Sequence, residues 1–196
     1  MTVATQSRMS LEAFLTYDDG TDVRYELVDG VLVEMGNEAK INTLIASFLH
    51  VFFASLGLPA YRIGFKQKIQ VDSDYVSARD PDLIVHSVES AAAGDDDSEF
   101  CLSLNDSNPL IVVEVVSPGE PGTPNYDRDY EQKPREYAAR GVPEYWIIDP
   151  SRAIVKIGTL IEGTYQFQDF TGDNGLMSPS FPALKLTAGK VLTAGR

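Results

Sequence analysis

Two carboxylates in this sequence stand where carboxylates are costly. Residues 110–116 read Leu-Ile-Val-Val-Glu-Val-Val, six apolar positions of seven, and the run predicts a strand buried on both faces in mid-sheet. Glu114 interrupts it. A charge there is destabilising unless a metal, a cationic partner or an open cleft compensates it. The plainer alternative is an acid near the strand's end that reaches water or pairs with an arginine. The second acid, Asp82, stands at the mouth of a short apolar strand entered through a proline, Asp80-Pro81-Asp82-Leu83-Ile84-Val85. Two carboxylates delivered by neighbouring strands could share one divalent cation, because Mg²⁺ takes one or two carboxylates and keeps several waters. That is a constellation for metal-dependent phosphoryl chemistry.

The elements that would position these acids can be read in turn. Ser10 precedes a short helical turn, although Glu12 lies one position too early for a capping box. Residues 24–35 form a hairpin, since Asp29-Gly30 between two apolar runs is a strong two-residue turn signal. Alternation puts Tyr25 and Leu27 on one face, Glu26 and Val28 on the other. Glu26 is then either a solvated strand acid or a third carboxylate facing the cleft. Ile41, Leu44, Ile45, Phe48, Leu49, Phe52, Phe53 and Leu56 follow at helical spacing, with Gly57 and Pro59 ending a core helix. His50 within it reads as packing or surface, not as a ligand. Residues 60–71 read as one strand with Lys66 and Lys68 on a common face, normally solvated but reserve candidates for a catalytic cation.

Residues 87–108 read as a surface excursion between two core strands, irregular or partly helical, with a solvated acidic run at its centre. The Gly/Pro stretch 117–125 excludes regular structure. A helix then runs to about Arg140 and stops at Gly141, with Lys133, Tyr137 and Arg140 on one face. Pro134 must lie in its first turn or mark a kink. Asp129 and Lys133, four apart, form an ordinary surface ion pair unless something nearby recruits them. Residues 144–149 are a core strand, 153–160 and 164–170 pair around Glu162-Gly163, 176–186 is an extended proline-broken run, and 187–193 is a terminal helix.

At 196 residues, with no repeat or linker in view, a single domain spanning 1–196 is expected, with 1–10 as a flexible N-terminus. No apolar run approaches transmembrane length, and the first ten residues lack a signal-peptide pattern. One cysteine, Cys101, excludes an internal disulfide. A cytoplasmic location without membrane contact follows as the expectation. The net charge of −13 argues against tight nonspecific binding to nucleic acid, while leaving room for a locally acidic, metal-loaded site.

Four blocks, in order and at matching spacing, carry a resemblance. They are Tyr25-Glu26-Leu27-Val28-Asp29-Gly30, Pro81-Asp82, the run from Val113 to Pro118 with Glu114, and the segment from Asp129 through Lys133 and Tyr137 to Asp149. Together they resemble the Uma-two family of the PD-(D/E)XK restriction-endonuclease-like superfamily, over nearly the whole chain. The resemblance implies an α/β fold with a mixed β-sheet core flanked by helices, an N-terminal β-hairpin and C-terminal antiparallel strands. It also implies Mg²⁺-dependent cleavage of DNA phosphodiesters, with Mn²⁺ as a substitute, and a homodimer. By position, Asp82 and Glu114 match the superfamily's two acids and Glu26 the family's early glutamate. The superfamily's lysine would fall at 116, where this chain has Val116; Lys133 matches the family's alternative lysine.

On that alignment Asp82, Glu114 and the Val115 carbonyl would hold the metal, with Glu26 as a further ligand or the holder of a metal-bound water. Lys133 would stabilise developing charge or orient the water. Tyr137 reads as a core tyrosine behind the site or a donor near the phosphate, and Asp129 as a supporting acid. The competing expectation is a catalytically silent binding or assembly protein on the same fold, which the acidity and Val116 favour.

Overall fold

The computed structural model describes residues 8–36, 39–94 and 100–196. Residues 1–7 of the predicted N-terminal arm and 95–99 of the predicted excursion lie outside the described residues. In chain order the elements are α1 (Leu11–Leu15), β1 (Tyr25–Val28), β2 (Val31–Glu34), α2 (Lys40–Ser55), β3 (Ile63–Gly64), β4 (Lys68–Val71), β5 (Ser77–Arg79), β6 (Leu83–Val85), α3 (Val88–Ala91), β7 (Cys101–Leu102), β8 (Ile111–Val115), α4 (Pro124–Asp127), α5 (Lys133–Arg140), β9 (Glu144–Asp149), β10 (Ile154–Ile161), β11 (Thr164–Phe170) and α6 (Ala188–Leu192).

The strands form two mixed sheets where the sequence predicts one mixed core. One sheet runs β2-β1-β5-β4-β7 and the other β11-β10-β9-β8-β6-β3. In the six-stranded sheet β8 lies centrally, antiparallel to β6 and parallel to β9. Its residues alternate between two cores. Ile111, Val113 and Val115 pack with Leu49 and Phe53 of α2 and Val191 of α6. Val112 and Val116 face the other way, onto Ile69 and Val71 of β4 and Tyr137 of α5. Glu114 shares this second face, so it points into the seam between the sheets.

The hairpin forms as predicted. Val28 pairs with Val31 across Asp29 and Gly30, whose φ values of 50° and 78° give the left-handed turn that matches strand twist. Ser10 caps α1 by accepting from the Ala13 N–H at 3.1 Å, in spite of the missing capping box. Phe14 of α1 then packs on Leu27 and Ala78. That burial orients β1 so that Glu26, the next residue along, faces the opposite way, into the seam.

Three expectations need correction. Residues 60–71 are two strands: β3 ends the six-stranded sheet, and β4 belongs to the five-stranded one. Between them Lys66 takes φ 50°, and a Cβ on Gly64 would meet Gln67 Oε1 at 1.6 Å. The chain therefore crosses between sheets where Gly64 lets the Gln67 side chain fold back. The predicted excursion contributes α3 and β7, which pairs in parallel with β4. The helix ending at Arg140 is interrupted, because Arg128–Gln132 winds one π turn before α5. Pro134 sits in the first turn of α5, as its missing N–H requires, and the wide turn makes room for its ring. Strand β5 is not predicted at all.

Gln67 also fixes a buried histidine. Its Oε1 can only accept, so His86 Nε2 donates to it at 2.6 Å and Nδ1 takes the Ser90 hydroxyl at 3.1 Å. Burial, with the Arg62 guanidinium adding to it, pushes the ring down from 6.5 to about 4. The fold prefers the neutral ring, so this contribution to stability is complete above the unfolded value and is lost as pH falls from 6.5 toward 4. The stability difference between wild type and His86→Gln, read from urea midpoints, should therefore narrow steadily across that interval. A difference that stays constant would show that His86 contributes nothing through protonation.

Candidate active site

The seam holds a buried cluster of charges drawn from three directions. From the six-stranded sheet come Asp82 and Glu114. Leu83 pairs with Val113, and one further step of that register sets Asp82 opposite Glu114 on the same face. Asp82 ends the ladder itself, its Oδ2 accepting from the Val115 N–H at 2.7 Å. From the five-stranded sheet comes Glu26. Leu27 opposes Ala78, so Glu26 opposes Arg79, and Arg79 Nη1 meets Glu26 Oε2 at 2.9 Å. From α5 comes Lys133. Its Nζ lies 2.9 Å from Glu114 Oε2, 3.1 Å from Glu26 Oε1 and 3.8 Å from Asp129 Oδ1. One turn further along, the Tyr137 hydroxyl donates to Glu114 Oε1 at 2.9 Å.

The ammonium is thus a bridge between the sheets. Lys133, Glu26 and Glu114 are all buried, which makes the surface ion-pair expectation for Lys133 and Asp129 wrong. Burial would strip Lys133 of its proton, but Glu114, Glu26 and Asp129 overcome it and raise its pKa. Burial likewise opposes ionisation of Glu26, and Lys133 and Arg79 reverse that, holding its carboxyl low. Glu114 goes the other way. Burial pushes it up, Lys133 offsets only part, and Asp82, Glu26 and Asp129 push it further. Crowding by Asp82, Glu26 and Asp129, added to burial, therefore disfavours the ionised form of Glu114 at the end it shares with Asp82.

That end opens into a hollow of about 350 Å³, lined among others by Asp82, Glu114, the Val115 backbone, Arg128, Asp129 and Lys133. Glu26 is not in its lining; it lies behind Lys133. Arg128 forks onto Asp129 at 2.7 and 3.1 Å, and Asn42, at the start of α2, donates to the Val115 carbonyl at 2.9 Å. Among the described residues, no three Asp, Glu, His or Cys side chains stand ready as a metal cage. The smaller donor set fits a hard cation nonetheless. The two acids Asp82 and Glu114 line one hollow with Val115, and an octahedral ion that keeps its waters takes only one or two carboxylates from the protein.

Of the residues singled out in the sequence, Asp82, Glu114, Val115, Asp129 and Lys133 line the hollow, with Glu26 and Tyr137 directly behind. Lys66 and Lys68 lie elsewhere, around a separate hollow with Arg24 and Asp80. Val116 packs in the second core. Sequence reasoning missed Asn42, Arg79, Arg128 and Glu136. Asn42 carried a signal, being polar in step with Ile45 and Leu49 on the buried side of α2. Arg79, held by Glu136 at 2.6 and 2.7 Å as well as by Glu26, lies in a strand too short and polar to read.

Comparison with known proteins bears on this arrangement. A family model described as "Uma2: Putative restriction endonuclease" matches residues 11–189. The chain belongs to the Uma2 family. A crystal structure of a putative nuclease belonging to DUF820 from Anabaena variabilis superposes with a TM-score of 0.73, at 16% identity over 96% of this chain and 99% of that one. The chain therefore shares that protein's fold, and the family's description supports a nuclease. No curated protein matches the chain. Among the described residues no helix is long and apolar enough to cross a membrane.

Removing the central ammonium should be far more damaging than removing a surface charge. Lys133→Met would leave Glu26 and Glu114 buried without their shared counter-charge, a loss of about 3–5 kcal/mol. Arg135→Met, whose pair with Glu131 is exposed at 3.8 Å, should cost at most about 0.5 kcal/mol. Urea unfolding of both variants tests this; equal midpoints would mean the ion cluster is not a structural centre.

Proposed function

We propose that this protein is an endonuclease that hydrolyses DNA phosphodiester bonds with a bound divalent cation, Mg²⁺ or Mn²⁺ in its place. The observation that carries the reading is the meeting of Asp82, Glu114 and the Lys133 ammonium at one solvent-open hollow. Asp82, Glu114 and the Val115 carbonyl would hold the ion. A divalent cation held there neutralises charge on the scissile phosphate and makes a bound water more acidic.

The chain's own groups supply the rest. Lys133, fixed by two carboxylates, presents a positive charge that need not reorganise as negative charge develops on the phosphate. Glu26 and Arg79 position Lys133 from behind, and Tyr137 holds one Glu114 oxygen so that the other stays on Lys133. Asn42 sets the orientation of the Val115 carbonyl. Arg128, at the rim and tied to Asp129, is placed to meet a non-bridging phosphate oxygen. The lysine expected two residues after the second acid is thus replaced in role, from a helix, by Lys133.

Supercoiled plasmid incubated with Mg²⁺ or Mn²⁺ should be nicked, and EDTA should abolish the nicking. Asp82→Asn and Glu114→Gln, which keep size and hydrogen bonding but remove charge, should each lower the rate by roughly 10²-fold or more. If wild type with either ion leaves plasmid, linear duplex and single strands intact, the fold serves binding or assembly instead.

A further inference from the structure

A second hollow of about 370 Å³ opens beside the first, and Asp22, Val23 and Arg24 line both. Its other walls are Phe14, Tyr17, Tyr25, Lys66, Lys68 and Asp80. Three of the chain's sixteen basic residues, Arg24, Lys66 and Lys68, surround it on a protein of net charge −13. Composition does not predict that. Arg24 is anchored to Asp80 Oδ2 at 2.6 and 3.1 Å, and Lys68, itself buried, lies over the Phe14 ring at 5.4 Å. Lys66 is exposed and held at φ 50°, a conformation disfavoured for any residue but glycine. Among the described residues no carboxylate pairs with it. Asp80 is 4% exposed, with Oδ2 held by Arg24 and Oδ1 buried without a hydrogen-bond partner. Tyr17, 42% exposed, packs edge-on against Tyr25 and offers an aromatic surface.

We infer that this second hollow binds a nucleotide of the substrate strand next to the scissile phosphate, an inference that rests on the nuclease reading. The chemistry divides accordingly. Lys66 takes a phosphodiester, Lys68 adds positive charge to the wall behind it, and Tyr17 packs against the base. Because the 22–24 segment lines both hollows, one strand that fills the first can reach into the second. The Lys66 turn, which carries the chain from one sheet to the other, sets this exposed lysine in the wall of the second hollow.

The test uses wild type, Lys66→Gln and Lys66→Glu, with circular dichroism to confirm folding. Binding of a fluorescein-labelled DNA oligonucleotide is read by anisotropy in EDTA over a range of salt. Cleavage of the same oligonucleotide and of bis(p-nitrophenyl) phosphate, a diester too small to reach the second hollow, is read with Mn²⁺. Binding should weaken several-fold in Lys66→Gln and further in Lys66→Glu, with the salt slope reduced by about 1. Oligonucleotide cleavage should slow through KM, while turnover of the small diester stays as in wild type. Equal binding and equal KM in all three proteins would overturn the subsite while leaving the nuclease intact. Absence of cleavage in wild type with retained, Lys66-dependent binding would instead overturn only the hydrolytic reading.

Discussion

The structure depends on one ammonium group placed between two sheets. Lys133 arrives from α5 and meets Glu26 of the five-stranded sheet and Glu114 of the six-stranded sheet within 3.1 Å. Each partner would be intolerable alone in that setting, because a buried charge without a counter-charge costs several kcal/mol. Together they form a set in which every member justifies the burial of the others. Arg79 extends it to Glu136 on the far side, and Tyr137 closes it on Glu114. A hydrophobic seam of the same volume would hold the sheets as well. What ions add is a fixed field at the mouth of a hollow, which apolar packing does not supply.

The two-sheet arrangement follows from how that field is built. Cross-strand registers do the placing: Glu26 opposite Arg79 in one sheet, Asp82 opposite Glu114 in the other. Registers are rigid, since a slip of one residue would turn every side chain to the other face. Hydrophobic burial on the outer faces enforces them, through Phe14 on Leu27 and Ala78, and through α2 on Val113 and Val115. The charged groups are therefore held by apolar contacts that they do not themselves make.

Much of this was legible in the residues. An acid inside the run 110–116, a second after Pro81, and the Asp-Gly turn fix the strands and acids of the site. Lys133 is different. Spacing puts it on a helix face with Tyr137, but nothing local says that the face meets Glu114, and the ordinary expectation was a surface pair with Asp129. Only its place in the family's blocks pointed to the site. Arg79 and Glu136 were opaque for a related reason: their value lies in partners more than fifty residues away, and β5 is three residues long. The break at Lys66 was hidden because apolar-polar alternation flanks it on both sides and only Gln67 interrupts it, while the turn is set by a contact between Gly64 and Gln67.

The π turn ahead of Pro134 has a bearing on how the site comes into being. Since the cation rides on a helix, it is absent from the acids until α5 docks, and when it does, charge on both sheets is satisfied at once. A chain with paired strands but a loose α5 would leave Glu114 without its counter-charge and Glu26 with Arg79 alone. Docking of α5 and completion of the charged cluster are in that sense a single event.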